Sequence, residues 1–366
     1  MSSERRLVAV IGAGVIGLQT SISLRQAGFE VVLLAKHFPG EQSIEYTSPW
    51  AGAHWRSHAG EDDLEQQQWD TETYKHMLSI IEKETNEPGE SVLSGLALRH
   101  SRYFSTSASA PWWSNLVRDY QTTPSSSLAP GTQHGTTYTS IMINAPMYLS
   151  YLLQTAQSLG VQTIRAALPS NSDLSESLHI ARKIISEHHN GGISAFVNAT
   201  GICARTFVPD PAINPVRGHT VTVIGEAKQI TTIEAPSSAD PSSNSSESTP
   251  IMYILPRPHC NTTILGGTKD VDNWDPSPSP ATTAEILRRA KEWAPELLNS
   301  DGEFSVLSEQ IGLRPARKGG VRVEIEKVEE FVVCHSYGHA GAGYQNSVGS
   351  AEKVVRLLDE ELSRYT

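Results

Sequence analysis

Only three cysteines, Cys203, Cys260 and Cys334, occur in 366 residues. They are odd in number and far apart, with no C-x-x-C pair and no histidine pair at zinc-ligand spacing, which excludes a disulfide framework and a cysteine-based metal site. A reducing compartment is the expected setting. No apolar run approaches the roughly 18 residues that a membrane span requires, and Met1-Ser2-Ser3-Glu4-Arg5-Arg6 does not read as a secretory leader. A soluble chain is expected. Basic residues are scarce against acidic ones, 29 to 40, and the formal charge of -11 argues against non-specific attachment to nucleic acid or an anionic membrane. An anionic ligand must therefore be met by local positive charge. No solenoid or propeller repeat is present.

What is present is globular: 38% hydrophobic and 19% charged residues, in a chain long enough for two lobes or for one α/β domain with a large insert. Leu7-Val8-Ala9-Val10-Ile11 is a continuous apolar run of buried-strand type, and it feeds Gly12-Ala13-Gly14-Val15-Ile16-Gly17. Residues 15–27 then carry helical periodicity, with Ile16, Ile22 and Leu24 on one face and Gly28 as a stop. A second strand over 30–35 completes a βαβ unit. In that context G-x-G-x-x-G predicts a dinucleotide pyrophosphate held at a helix N-terminus. The acidic residue usual at the end of the second strand is replaced by Lys36 and His37. A lysine there suits a 2'-phosphate, which keeps an NADP-linked dehydrogenase open.

Further along, helices are predicted over 64–83 and 144–160, strands over 161–166, 193–197 and 251–255, and surface loops over 105–111 and 121–132. The run 234–250 is almost free of apolar residues and is expected to be a mobile loop, either a lid or a solvated hairpin extension. Near the C-terminus, Gly312-Leu313-Arg314-Pro315 is followed by His335-Ser336-Tyr337-Gly338-His339-Ala340-Gly341-Ala342-Gly343-Tyr344-Gln345. A guanidinium clamps a carboxylate through two parallel hydrogen bonds, while glycines let the backbone approach a flat ring. The pairing suggests an acid held against a bound cofactor, with a structural ion pair as the alternative role for Arg314.

Eight blocks stand in one order across nearly the whole chain: Gly12 to Gly17, Ser48-Pro49-Trp50-Ala51-Gly52-Ala53, Val197-Asn198-Ala199-Thr200-Gly201, Val216-Arg217-Gly218, Tyr253-Ile254-Leu255-Pro256, Leu265-Gly266-Gly267-Thr268, Gly312-Leu313-Arg314-Pro315 and the Tyr337 to Gly343 turn. In that order they resemble the FAD-dependent D-amino-acid oxidase family, which includes D-aspartate oxidases. Fungal members are similar in carrying Lys-His after the second strand, so Lys36 and His37 do not count against FAD. Cys334 and Ser336 depart from the family's usual residues without removing a charge or a glycine.

The resemblance implies an α/β fold in which a Rossmann-like FAD-binding lobe (1–50, 144–205 and 310–366) interleaves with an α+β, mostly antiparallel substrate lobe (51–143 and 206–309). It implies oxidation of a D-amino acid by hydride transfer to the flavin, with molecular oxygen returning as hydrogen peroxide and the imine hydrolysing to a 2-oxo acid and ammonia. No acid/base side chain is implied, only orientation. Arg314 and Tyr253 would hold the α-carboxylate and the Gly341 carbonyl the ammonium. Gly12, Ala13, Gly14, Ile16, Gly17, Lys36, His37, Ser48, Ala51, Gly52, Arg314, Ala340, Gly341, Gly343, Tyr344 and Gln345 would surround the FAD. Lys269 stands where D-aspartate oxidases carry a cation, and His54 replaces an Asn usual in fungal enzymes for neutral substrates. With Arg56 nearby, these two point to acidic D-amino acids; Lys269 as a surface charge paired with Asp270 or Asp272, and so a neutral, D-alanine-like substrate, is the alternative. A glycine- or sarcosine-type oxidase and a flavin binder without turnover are further readings. A metal, nucleic acid and membrane are not expected, and a homo-oligomer stays open. The family resemblance suggests a peroxisome, although the chain ends Ser363-Arg364-Tyr365-Thr366 rather than in a Ser-Lys-Leu-like address; otherwise the cytoplasm is expected.

Overall fold

The computed structural model describes residues 6–87, 93–107, 110–169, 173–234 and 251–364. All of the polar run 234–250 except Glu234 lies outside them.

The strand Leu7–Ile11 is buried at all five positions, because it is flanked by a strand on each side and covered on both faces. It pairs in parallel with Glu30–Ala35 and with Ile193–Asn198. The whole six-stranded sheet runs Arg322–Val328, Phe331–Tyr337, Ile193–Asn198, Leu7–Ile11, Glu30–Ala35, Gln162–Arg165. Only its first pair is antiparallel. Helices Val15–Gln26, Ala145–Ser158 and Gly343–Ser363 cover one face through residues such as Leu18, Leu152 and Val354, and helix Leu174–Ser186 covers the other through Leu178, Ala181 and Ile185. The first turn is closed by its glycines: Gly12 has φ +110, and a Cβ on Gly17 would drive into the Gly12 carbonyl.

A nine-stranded sheet forms the second layer system. Its order is Asp270–Val271, Ile213–Ile224, Thr262–Gly266, Ile251–Arg257, Ile230–Glu234, Leu96–Ser105, His134–Ile143, Arg118–Thr122, with Val306–Arg317 also paired to Ile213–Ile224. All its pairs are antiparallel except Leu96–Ser105 with Ile230–Glu234. Helix Pro280–Trp293 packs on it through Ile286 and Ala290.

The lobe boundary expected at 310 falls inside Val306–Arg317, whose ladder on Ile213–Ile224 is continuous from Val306 to Arg317 apart from one bulge near its start. Arg314 thus belongs to the second sheet. Helix Leu64–Asn86, expected with the substrate lobe, lies against the C-terminal helix: Asn346 Nδ2 donates to Asp70 at 2.6 Å and the Val348 amide to Thr73 at 3.1 Å. The stretch 121–132 is not wholly loop, since 121 and 122 end an exposed edge strand. No helix among the described residues is long and apolar enough to cross a membrane.

Candidate active site

One cavity of about 800 Å3 is lined by residues of both sheets, within the size range of cofactor and ligand sites. At one end stands the βαβ turn. Gly12, Ala13, Gly14 and Ile16 line the cavity with Lys36, His37, Ser48, Ala51 and Gly52. The Ser48 hydroxyl oxygen accepts from the Val15 amide at 3.1 Å, and the Tyr46 hydroxyl donates to the Ala13 carbonyl at 2.7 Å, so the glycine turn is held from the side. Gly17 is not on the wall; it serves the packing of helix on strand. Lys36 is paired with Glu45 at 2.5 Å and His37 with Glu41 at 3.2 Å. Glu45 also lines the cavity. The cation at the strand end is therefore already compensated, and a carboxylate does stand there, supplied from a later loop.

Beside the βαβ turn the wall is made by the C-terminal glycine turn, with Ala340, Gly341, Gly343, Tyr344 and Gln345 all on the cavity. The Tyr344 hydroxyl donates to the Ser48 carbonyl at 2.9 Å, which ties the two walls together. Gln345 Nε2 and Ser336 Oγ are buried without a partner among the described residues, although both residues line the cavity. Buried polar atoms left open in this way fit a bound group with matching donors and acceptors. With two helix N-termini and a glycine-lined wall, the site fits FAD.

Arg314, on Val306–Arg317, and Tyr253, on Ile251–Arg257, face the same cavity from two strands of the second sheet. Arg314 Nη1 donates to the Thr268 carbonyl at 3.1 Å and to that of Val216 at 3.4 Å, and Nη2 to the Tyr253 hydroxyl at 3.4 Å. These neutral bonds orient the guanidinium but leave its charge without a carboxylate; among the described residues it joins no ion pair. The structural ion pair weighed for it is not formed there. Gly218 explains how it lies so close to the sheet, since a Cβ there would sit 2.6 to 2.8 Å from the guanidinium atoms. The sequence block Val216-Arg217-Gly218 was visible, but not this reason for its glycine.

Lys269 and His54 also line the cavity, together with Arg56 and His58. Lys269 pairs with neither Asp270 nor Asp272: its nearest acid is Glu234 at 3.6 Å, while Asp270 is held by Arg217 at 3.1 Å. Glu234 also accepts from Arg56 at 3.0 Å and from the Tyr103 hydroxyl at 2.9 Å. Desolvation, with the charge of Arg56 beside it, pushes the His54 pKa down to about 3; His58, exposed on the same wall, is also lowered, by desolvation of its ring and by the charges of Arg56 and Lys269. His54 is thus a neutral wall rather than the cation expected. Burial, then the neighbouring charges of Arg56 and Arg314, also lower the Lys269 ammonium, against the pull of Glu234. Glu234 itself carried no sequence signal, because it stands at the start of a polar run.

His339, on the cavity wall, is backed by Asn346 at 3.4 Å, and Asn346 in turn by Asp70. Burial pushes His339 down to about 4 and raises Asp70 to about 7. Sequence reading did not single out this line, because helix Leu64–Asn86 and the C-terminal helix meet only in the fold.

The sequence profile of the FAD dependent oxidoreductase family (DAO) matches residues 8–357. The chain is 35% identical over 371 residues to a D-amino-acid oxidase of Fusarium vanettenii, covering 96% of each, and 31% identical over 400 residues to a D-aspartate oxidase of Cryptococcus neoformans var. grubii, again covering 96% of each. The fold is also that of glycine oxidase from Geobacillus kaustophilus, with a TM-score of 0.69 at 17% identity over 98% of this chain and 95% of that one. A family match over this length, with a relative 35% identical over nearly the whole chain, shows that the chain belongs to the FAD-dependent oxidoreductases of the DAO family.

Proposed function

We propose that the chain oxidises D-amino acids with FAD as cofactor and molecular oxygen as acceptor, giving the 2-oxo acid, ammonia and hydrogen peroxide. The observation that carries this reading is Arg314, oriented by neutral bonds toward a cavity and without a carboxylate of its own. An α-carboxylate would complete it, with the Tyr253 hydroxyl as a second donor and the Gly341 carbonyl receiving the ammonium. FAD held between the βαβ turn and the Ala340–Gln345 turn would supply the two-electron acceptor for a hydride from the α-carbon, with oxygen as the final acceptor. The protein's share is orientation, which alone is worth several powers of ten in rate. His54, with a pKa pushed down to about 3, is too weak a base to take up a substrate proton near pH 7. The sequence relatives named for D-amino acids and D-aspartate support the substrate class. The NADP alternative is disfavoured by Glu45, whose carboxylate would face a 2'-phosphate.

Acidic D-amino acids are the preferred substrates in this reading. Arg56 and Lys269 together carry two positive charges against the one negative charge of Glu234, leaving a positive surplus where a side-chain carboxylate would lie. Peroxide release from the FAD-loaded protein with D-aspartate, D-alanine and their L-enantiomers tests both parts: release with D-aspartate foremost and none with L-enantiomers is expected, and silence with every D-amino acid sinks the reading. Lys269→Met should raise the Michaelis constant for D-aspartate far more than for D-alanine; equal effects would leave only the neutral-substrate alternative.

A further inference from the structure

The three charged groups beside Arg314 do not contribute equally to the cavity. Arg56 and Lys269 line it, whereas Glu234 stands behind them, with its carboxylate shared between Arg56 at 3.0 Å, Lys269 at 3.6 Å and the Tyr103 hydroxyl at 2.9 Å. Arg56 is nearly sealed, 6% exposed, and its guanidinium also lies 4.4 Å from the centre of the Tyr103 ring. A buried arginine in this position needs a counter-charge. Lys269 does not need one to the same degree, because its side chain is 42% exposed and opens on the cavity. The histidines on the same wall, half-buried His54 and exposed His58, both have lowered pKa values beside Arg56 and add no charge near neutral pH. The subsite therefore carries one surplus positive charge, and Glu234 is the group that keeps it at one.

We infer that Glu234 is a specificity-setting positioning residue: an internal carboxylate that fixes Arg56, offsets half of the cationic charge beside Arg314, and so tunes the cavity to ligands bearing one carboxylate beyond the α-carboxylate. This deepens the proposed function and rests on it for the identity of the substrate. Without Glu234 the subsite would hold two uncompensated cations and bind a dicarboxylate more tightly than the enzyme now does. With Lys269 removed as well, the total returns to one and the discrimination should return with it. A role confined to holding the fold together would follow no such charge count.

The test uses succinate and propionate, which are aspartate and alanine without the amino group, titrated by calorimetry into the FAD-loaded protein. Unit charges several ångströms apart at a protein surface couple strongly enough to change affinity by roughly tenfold. Glu234→Gln should tighten succinate about tenfold and leave propionate within about threefold. Lys269→Met should weaken succinate about tenfold, and the double variant should lie within about threefold of the wild type for both ligands. Succinate unchanged or weakened in Glu234→Gln, or a double variant as weak as Lys269→Met, overturns the inference. Should Glu234→Gln not fold, Lys269→Glu decides: it reverses the surplus and must abolish succinate binding while sparing propionate, and any other result overturns the charge count. Binding needs no turnover, so the expected pattern without peroxide from any D-amino acid would sink the oxidase reading alone. Turnover with equal variant effects would sink Glu234 alone.

Discussion

Replacing Gly218 by alanine tests whether Arg314 is placed for function rather than for stability. The added Cβ would lie 2.6 to 2.8 Å from Nη1, Nη2 and Cζ of Arg314, whereas ordinary contact begins at 3.4 Å, so the guanidinium must retreat by about 0.7 Å. It is the end of a long side chain, and a retreat by small rotamer changes costs less than about 1 kcal/mol. The melting temperature of the FAD-loaded variant should stay within about 3 °C of the parent. Catalysis is far less forgiving. The retreat lengthens the 3.1 Å bond to the Thr268 carbonyl and the 3.4 Å bond to Tyr253 that aim the charge. Charge-assisted bonds to a carboxylate are worth about 1.5–3 kcal/mol each, and a misplacement near 1 Å costs on the order of 100-fold in rate. We expect kcat/KM for D-aspartate, read as peroxide release, to fall about 30- to 100-fold in Gly218→Ala. A folded variant with kcat/KM within threefold of the parent would refute the clamp.

Gly17→Ala should cost FAD rather than substrate affinity: the methyl meets the Gly12 carbonyl, the βαβ turn must open, and FAD affinity should drop at least about tenfold. The flavin-to-protein absorbance ratio after dialysis reads this, and a parental ratio would contradict it. Asp70→Asn should change the pH dependence of stability. Burial holds the Asp70 carboxyl protonated up to about 7, so it adds stability that is fully present below its ordinary pKa near 4 and lost as the pH climbs through 7. The advantage of Asp70→Asn over the parent should therefore grow by on the order of 3 kcal/mol between pH 4 and 8 and then level off. Parallel pH profiles in urea denaturation would show that Asp70 ionises normally.

The parallel half of the fold was legible because its signals are local: five apolar residues before a glycine turn, a helical period, and a second strand at the right distance. Arg314 was legible because a lone guanidinium next to a glycine-rich turn has few structural uses. The boundary at 310 was not, since nothing local marks where a ladder as long as Val306–Arg317 leaves one sheet for the other. Glu234 escaped for a related reason: its partners Arg56, Tyr103 and Lys269 come from three distant segments, and it stands at the head of a polar run with no motif around it. His54 shows the limit from the other side. Its residue type suggested a charge, but burial decides the charge, and burial is set by packing that the sequence does not spell out.

Anaerobic mixing of the FAD-loaded protein with single amino acids addresses the central claim most directly, because it isolates the transfer of electrons from the substrate. Loss of the oxidised-flavin absorbance with D-aspartate, weaker loss with D-alanine and none with the L-enantiomers is the predicted result. A flavin that stays oxidised with every D-amino acid, or is bleached equally by both enantiomers, would contradict it.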